Sequence, residues 1–426
     1  MFEWNDEQQM IRTAVRQYVE AEIEPRRDEL EFGDLPPYDL LRGLFSTFGM
    51  DQMARDSFDR TIERERAAEA ASNEPQGSIV DGSSDGEDSA EPGARSSRRD
   101  AAMTLIPIIE LCRVCPGMVT AMGVSMGLTA SAIMSKGTTA QKVRWARDLL
   151  SLDKVGAWAI TEPGSGSDAF GSMKATARRD GDEYVLSGSK TFITNGPHAD
   201  TIVFICKLDE GNPPEERAIL QFVLDSGMEG LTQSKPLRKM GLHSSPTGEL
   251  FLDDVRVGTD RLLGESEDAF RGAGGRSASK ATFSIERAGV AAMALGIVER
   301  CLELSVAYAN DRVQFGRPIG EFQLIQLKLA KMEVARLNIQ NLVFRFIEMG
   351  AAGKDVDFAE ASAAKLYSAQ TATEVALEAV QLFGGNGYMS EYPVEQLARD
   401  AKVLQIYAGT DEIQISQIAR DLLAKG

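Results

Sequence analysis

Apolar positions recur along this chain at two different spacings, and the switch between them divides it into three parts. Near the N-terminus Ile11, Ala14, Val15, Tyr18, Val19 and Ile23 fall three and four apart, which is the spacing of one helix face. Asn5 with Gln8 three residues later has the form of a capping box, and Pro25 ends the run. More helix is expected near 37–66 and over about 101–150, where Met118, Met122 and Met126 share a face as core filler or as part of a substrate wall. From about 156 to 262 the pattern changes to short runs such as EYVLSGSKTFITN, TIVFICK, AILQFVLD and GELFLDDVRV, rich in β-branched residues and bounded by Gly, Pro, Asn and Asp. Helical spacing returns at roughly 281–311, 321–351, 357–383 and 411–424. The expected fold class is α+β: an N-terminal helical domain (1–155), a central antiparallel β domain (156–270) and a C-terminal four-helix bundle (271–426). Residues 67–100 break the first domain. They are rich in Ser, Gly, Glu and Asp and hold too little apolar surface to offset ordering entropy, so a disordered insertion is expected.

Composition narrows the function. The chain has 426 residues, 43% of them hydrophobic, and a formal net charge of -18. An acidic surface argues against nucleic acid, which needs a basic footprint. No apolar run of about 18 residues is evident and the N-terminus lacks a basic region followed by an apolar stretch, so neither a membrane span nor a signal peptide is expected. Four cysteines are too few for a disulfide framework, which fits a reducing cytoplasm. Cys112 and Cys115 form a C-x-x-C pair that reads as a redox or zinc site or, with only His198 and His243 as further soft ligands, as two buried thiols. No strand–G-x-G-x-x-G–helix unit, Walker A loop or H-E-x-x-H helix occurs.

The candidate chemistry lies in five segments: AWAITEPGSGSD (157–168), KTFITNGP (190–197), DRVQFGRPIGEFQ (311–323), QLFGGNGY (381–388) and IYAGTDEIQ (406–414). Gly164 and Gly166 let backbone approach a ligand closely. The Arg312 guanidinium suits a pyrophosphate through paired hydrogen bonds. In FSIERAGV, Glu286 opens a stretch whose next residues, Ala288 to Val298, are all apolar or glycine. Such a helix is buried, and a carboxyl on it should titrate high, as suits a base; a glutamate that merely caps a helix start is the alternative.

Together, and in this order, these segments resemble the acyl-CoA dehydrogenase family over most of the chain. The resemblance implies FAD as cofactor, held by Trp158, Ile160, Thr161, Gly166, Ser167, Phe192, Thr194, Thr410 and Glu412. Phe192 stands where relatives often carry Trp and would stack on the isoalloxazine edge, with Thr194 near flavin N5. Arg312, Phe315, Gln323, Gln381, Gly384 and Gly385 would reach the FAD of a neighbouring subunit, which implies a dimer interface within a homotetramer, a dimer of dimers. Ser167, Ser284, Arg287, Ala408 and Gly409 would contact the acyl-CoA substrate. Many relatives carry their base in Tyr-Glu-Gly-Thr; here the segment is Tyr407-Ala408-Gly409-Thr410, and Ala408 accepts no proton. A subfamily resembling isovaleryl-CoA and long-chain acyl-CoA dehydrogenases places the glutamate before an arginine on the first long C-terminal helix, which is Glu286. The backbone N–H of Ala408 can still donate to the thioester carbonyl, and the missing carboxylate leaves room for branched or bulky acyl groups. The implied reaction is α,β-dehydrogenation of an acyl-CoA to a trans-2-enoyl-CoA in β-oxidation, with Glu286 as base, flavin N5 as hydride acceptor and an electron-transfer flavoprotein as onward acceptor. An acyl-CoA oxidase and a non-catalytic partner subunit of a heteromeric dehydrogenase are the alternatives.

Overall fold

The computed structural model describes residues 3–72, 93–270, 273–354 and 356–425, with side chains over 3–71, 102–268, 286–354 and 356–424. The N-terminal part comprises α1 (Asp6–Tyr18), α2 (Arg27–Phe32), α3 (Tyr38–Thr47), α4 (Met50–Ser72), α5 (Gly93–Cys112), α6 (Pro116–Gly123), α7 (Ser131–Lys136), α8 (Thr139–Gln141) and α9 (Arg147–Leu150). The capping box forms: the Asn5 side chain accepts from the Gln8 amide, and the Gln8 side chain accepts from the Asn5 amide. Helix extends further into the expected insertion than composition indicated. α4 runs to Ser72 and α5 begins at Gly93; the centre of the expected insertion, 73–92, lies outside the described residues.

The β domain contains β1 (Gly156–Ala159), β2 (Thr176–Asp180), β3 (Glu183–Thr194), β4 (Thr201–Leu208), β5 (Ile219–Asp225), β6 (Leu231–Gln233) and β7 (Thr247–Gly258), in one sheet of order β1-β4-β2-β3-β7-β6 with β5 on β4. The antiparallel expectation holds for β2–β3, β3–β7, β4–β5 and β6–β7, but β4 pairs parallel with β1 and β2. Every residue of β4 is buried, because both its faces are covered. Ile202, Phe204 and Cys206 enter the core of the sheet, while Val203 and Ile205 pack with Trp145, Leu149, Phe58 and Ile62 from the N-terminal helices.

The C-terminal part comprises α10 (Ala273–Asp311), a two-stranded hairpin of β8 (Val313–Gln314) and β9 (Arg317–Pro318), α11 (Gln323–Ala351), α12 (Phe358–Phe383), α13 (Pro393–Val403) and α14 (Asp411–Lys425). Helix α13 was not anticipated. α10 packs on α5, α11 and α12, and every residue from Val290 to Glu299 is buried. Gly296 is required there: a Cβ would lie 2.2 Å from the Ile109 carbonyl oxygen, so α10 and α5 touch backbone to backbone. Both helical parts thus share one core, joining Val15, Ile106 and Met118 to Ile297, Ile339 and Phe344.

Two expectations need amendment. Pro116–Lys136 has a mean hydropathy of 1.4 and is long and apolar enough to cross a membrane by composition, although no such run was expected; more than half of it is buried inside the protein. Cys112 and Cys115 are both buried and free, and burial pushes both thiols up, so these are packing residues.

Candidate active site

The first group of site residues lies where β1 runs into the TEPGSGSD turn. The Glu162 and Ser165 backbones bond reciprocally across the turn at 3.1 and 3.0 Å, closing it around Gly164. Nothing lies within 4 Å of a Cβ built on Gly164 or Gly166, and Gly166 and Ser167 are exposed. This bare backbone is open to a ligand. Behind it sits a buried ion pair that the sequence reading missed. The Lys190 ammonium, fully buried, lies 2.8 Å from Glu162 and donates to the Ile160 carbonyl at 3.0 Å. Glu162 also accepts from the Lys174 and Ala175 amides at 2.7 and 2.9 Å. The Thr191 amide donates to the Thr161 carbonyl at 2.9 Å, so β3 is locked to the Ile160–Thr161 backbone.

One residue beyond this lock the β3–β7 register shifts between Lys190 and Ile193. The irregularity turns Phe192 outward at φ +56°, 69% exposed although large and apolar. Thr194 is half-buried two residues on. Asn195, fully buried at φ +64°, accepts from the Tyr38 hydroxyl and donates to the Ala121 and Gly156 carbonyls, tying β3 to α3, α6 and β1. Trp158 and Ile160 are partly buried beside the same sheet. An exposed aromatic beside an open glycine turn, both on rigid strands, fits an aromatic ring and its phosphates.

The second group surrounds Glu286 on α10. Glu286 sits deep among protein atoms but keeps some exposed surface. Burial pushes its carboxyl up to about 7, against the lowering pull of Arg287 and Lys365. Tyr407 lies within the field of Glu286, and its hydroxyl reaches the Met293 sulfur at 3.1 Å. Ala408 and Gly409 are both left-handed, at φ +53° and +84°, an unusual state for an alanine. Gln414, buried, donates to both the Ala408 and Gly409 carbonyls at 2.9 and 2.8 Å, and the Lys365 ammonium donates to the Gly409 carbonyl at 2.8 Å. Among the described residues the Ala408 N–H has no partner. Arg287 is buried rather than open: it donates to Ser362 at 2.8 Å and lies 4.0 Å over the Phe358 ring. Thr410 is half-buried, and Glu412 is exposed in the first turn of α14. The Ser284 side chain lies outside the described residues.

The third group is on the outer surface of the C-terminal helices. Arg312, Phe315 and Gln323 are exposed, with Phe315 at φ +54° and 93% accessible on the tip of the β8–β9 hairpin. Gln381, Gly384 and Gly385 are exposed at the end of α12, and both glycines are open. Tyr308 joins the two segments: it stacks on Phe383 at 4.0 Å, accepts from Asn386, and its carbonyl takes the Arg312 amide. Phe192, Phe315 and Ala408 therefore all carry non-glycine positive φ, which is where a fold stores local strain for function.

Glu162 and Lys190 lie inside the quoted motifs and Lys365 in an alanine-rich helix, but none carried a local signal of its role, because their partners are distant in sequence. Comparison with known proteins agrees with the geometry. Family models described as the N-terminal, middle and C-terminal domains of acyl-CoA dehydrogenase match residues 92–153, 157–255 and 272–423. An acyl-CoA dehydrogenase of Bacillus subtilis is 40% identical over 326 residues, 76% of this chain and 83% of its own length. The structure of butyryl-CoA dehydrogenase from Megasphaera elsdenii superposes with TM-score 0.81 at 32% identity, covering 99% of this chain and 100% of that one. That of a glutaryl-CoA dehydrogenase from Mycobacterium smegmatis in complex with FADH2 gives 0.78 at 25% identity, covering 98% and 95%. With its three domains, its paired glycine turns and its high-titrating carboxyl, the chain belongs to the acyl-CoA dehydrogenase family of FAD-dependent oxidoreductases.

Proposed function

We propose that Glu286 is the base of this acyl-CoA dehydrogenase and that the Ala408 N–H binds the thioester carbonyl oxygen. The observation that carries this reading is the Glu286 carboxyl, raised to about 7 beside a loop whose free amide is held in a strained conformation. Near neutrality such a group is divided between its two forms, and its ionised form is a strong enough base to take a weakly acidic α-proton. The α C–H bond breaks heterolytically; the proton passes to a Glu286 oxygen and the electron pair begins to form the Cα–Cβ double bond. The charge that this pushes towards the thioester oxygen is met by the Ala408 amide. FAD, when bound by Ile160, Thr161, Gly166, Ser167, Phe192 and Thr194, supplies the acceptor for the β-hydrogen and its electron pair. The product is then a trans-2-enoyl-CoA, as in a β-oxidation step.

The rest of the family pattern is part of the same proposal. Arg312, Phe315, Gln323, Gln381, Gly384 and Gly385 face outward and are placed to serve the FAD of a second copy, which favours a homotetramer built from such dimers. An electron-transfer flavoprotein is the proposed onward acceptor and the cytoplasm the proposed location. The alanine at 408 leaves space beside the α carbon, so branched acyl groups are the proposed preference over short straight ones. Anaerobic flavin bleaching by a panel of straight and branched acyl-CoAs tests the reading, run with the wild type and Glu286→Gln. Bleaching in the wild type that is lost in Glu286→Gln with FAD retained is expected. Bleaching that persists in the variant overturns the base, and none with any acyl-CoA overturns dehydrogenation itself.

A further inference from the structure

We propose that Lys365 is a positioning residue for the thioester: its buried ammonium pins the Gly409 carbonyl, so that the Ala408 N–H is held towards the substrate, and it sets a positive charge beside Glu286. This rests on the function proposed above.

Lys365 is on α12, its side chain has no exposed surface, and its ammonium lies 2.8 Å from the Gly409 oxygen and 3.6 Å from Asp411 Oδ1. An ammonium so placed is expensive to bury, and burial lowers its own proton affinity. The surroundings explain what it holds. The 407–409 segment is gripped from both ends. Upstream, the Tyr407 amide donates to the Val403 carbonyl at 3.0 Å, and its partly buried ring reaches Met293 through its hydroxyl. Downstream, the Ala408 and Gly409 carbonyls are both taken by buried donors, Gln414 and Lys365. With the flanking groups on both sides fixed, the orientation of the Ala408 amide is restricted, and its N–H has no partner among the described residues. The left-handed φ of Ala408 and Gly409 is what turning both carbonyls inward demands.

Four charged groups meet here from three elements: Glu286 and Arg287 from α10, Lys365 from α12 and Asp411 from the start of α14. Arg287 donates to Ser362 and lies over Phe358, and its guanidinium also comes within 3.8 Å of where a Gly409 Cβ would stand, but among the described residues it is Lys365 whose ammonium hydrogen-bonds the loop. Asp411 is shared: Gln370 and Gln405 donate to its other oxygen, while Oδ1 has only the ammonium near it. The lysine therefore links the proton acceptor on α10 to the carbonyl-binding amide in the loop before α14, 122 residues apart in the chain.

The test uses Lys365→Met, which removes donor and charge, and Lys365→Gln, which keeps a shorter donor without charge, in the FAD-loaded enzyme. The first readout is the infrared stretch of the thioester carbonyl in a bound 2-enoyl-CoA, labelled with carbon-13 at that carbonyl and matched to the best acyl chain of the panel. The wild type should shift the stretch to lower frequency. Lys365→Met should lose most of this shift, and Lys365→Gln should recover part of it. The second readout is bleaching at saturating substrate. It should fall by about 100-fold in Lys365→Met, the scale of losing one oxyanion donor, with little change in the concentration for half-saturation. The acid limb of the pH profile should move to higher pH in both variants, because the Glu286 carboxylate loses a neighbouring cation; a purely structural lysine would leave that limb in place. If Lys365→Met does not retain FAD, Gln414→Leu reads the same loop from its other anchor and should show the same loss of carbonyl shift. Wild-type-like shift and profile in these variants overturn the role of Lys365 while leaving the dehydrogenase intact. A wild type that neither bleaches nor shifts the carbonyl overturns the function, and this inference with it.

Discussion

At Glu286 the raised carboxyl has a consequence for stability as well as for chemistry. A rise from 4.5 to about 7 means that the folded chain holds a proton which the unfolded chain releases. Stability from this group is therefore full below pH 4.5, declines as pH climbs through the interval, and is lost above about 7, by roughly 3 kcal/mol in total. Glu286→Gln keeps the shape without the ionisation. Its melting temperature should exceed that of the wild type at pH 8 and converge with it near pH 4.5, as calorimetry across pH would show. Bleaching in the wild type should have the opposite slope, rising with pH through about 7 as the base ionises. The raised carboxyl of Glu286 was legible in the sequence from the apolar helix that runs on from it, while its choice as base over a capping glutamate came from the family resemblance and from Ala408. Lys365 was not, since its partner Gly409 lies 44 residues away and nothing about a lysine in AAKLYSAQ says that a distant carbonyl will claim it.

Among the elements, β3 shows how a strand can be both rigid and expressive. Glu162 and Lys190 hold its later half against the turn that follows β1, and the register shift after Lys190 presents Phe192 to the outside. Removing one partner leaves the other charge buried alone, so Lys190→Met should destabilise the fold by about 3 kcal/mol. It should also weaken FAD binding through a misplaced Thr191–Phe192 segment. The double variant Glu162→Gln/Lys190→Met should recover much of the stability, though less of the affinity. Urea unfolding and FAD titration of the three variants make the cycle. The β period of 183–194 was readable from alternation. The irregularity that aims Phe192 was not, because it depends on the register against β7, which alternation in one strand does not specify. Similarly, PVEQLARDAKV carries its helix signal in a proline at the first turn and in buried Val394, Leu397 and Ala401, but this short signal is masked by the two glycine-containing motifs that flank it.

Across the whole molecule, the three parts meet at a cluster of acids. Glu31 from α2 and Asp400 from α13 are both buried, and Asp400 accepts the Leu242 amide from the loop before β7. Burial and the charge of Glu31 push the Asp400 carboxyl well above its usual range; the Leu242 amide, Arg399 and Gln396 offset this only in part. By the same sign, this junction loosens as pH rises above the ordinary carboxylate range, and Asp400→Asn should raise the melting temperature most at alkaline pH. The fold class and the order of the three parts followed from the spacing of apolar residues. The helical extent of 67–72 and 93–100 did not, because a helix continuing into a polar segment is stabilised by the packing of the rest of the helix more than by that segment's own composition.

The exposed hairpin of Val313–Pro318 changes how the cofactor should respond to concentration. Phe315 at its tip is nearly bare, and Leu324 at the start of α11 and Tyr388 just beyond α12 are 76% and 79% accessible. If these residues complete the flavin pocket of a second copy, the pocket exists only where two chains meet. Retention of FAD then becomes a property of pairs, governed by mass action between chains as well as by ligand affinity. Diluting the enzyme at fixed free FAD should release flavin along a curve set by dimer dissociation, with Phe315→Ala displacing that curve to higher protein concentration and leaving the Glu286 half of the site untouched.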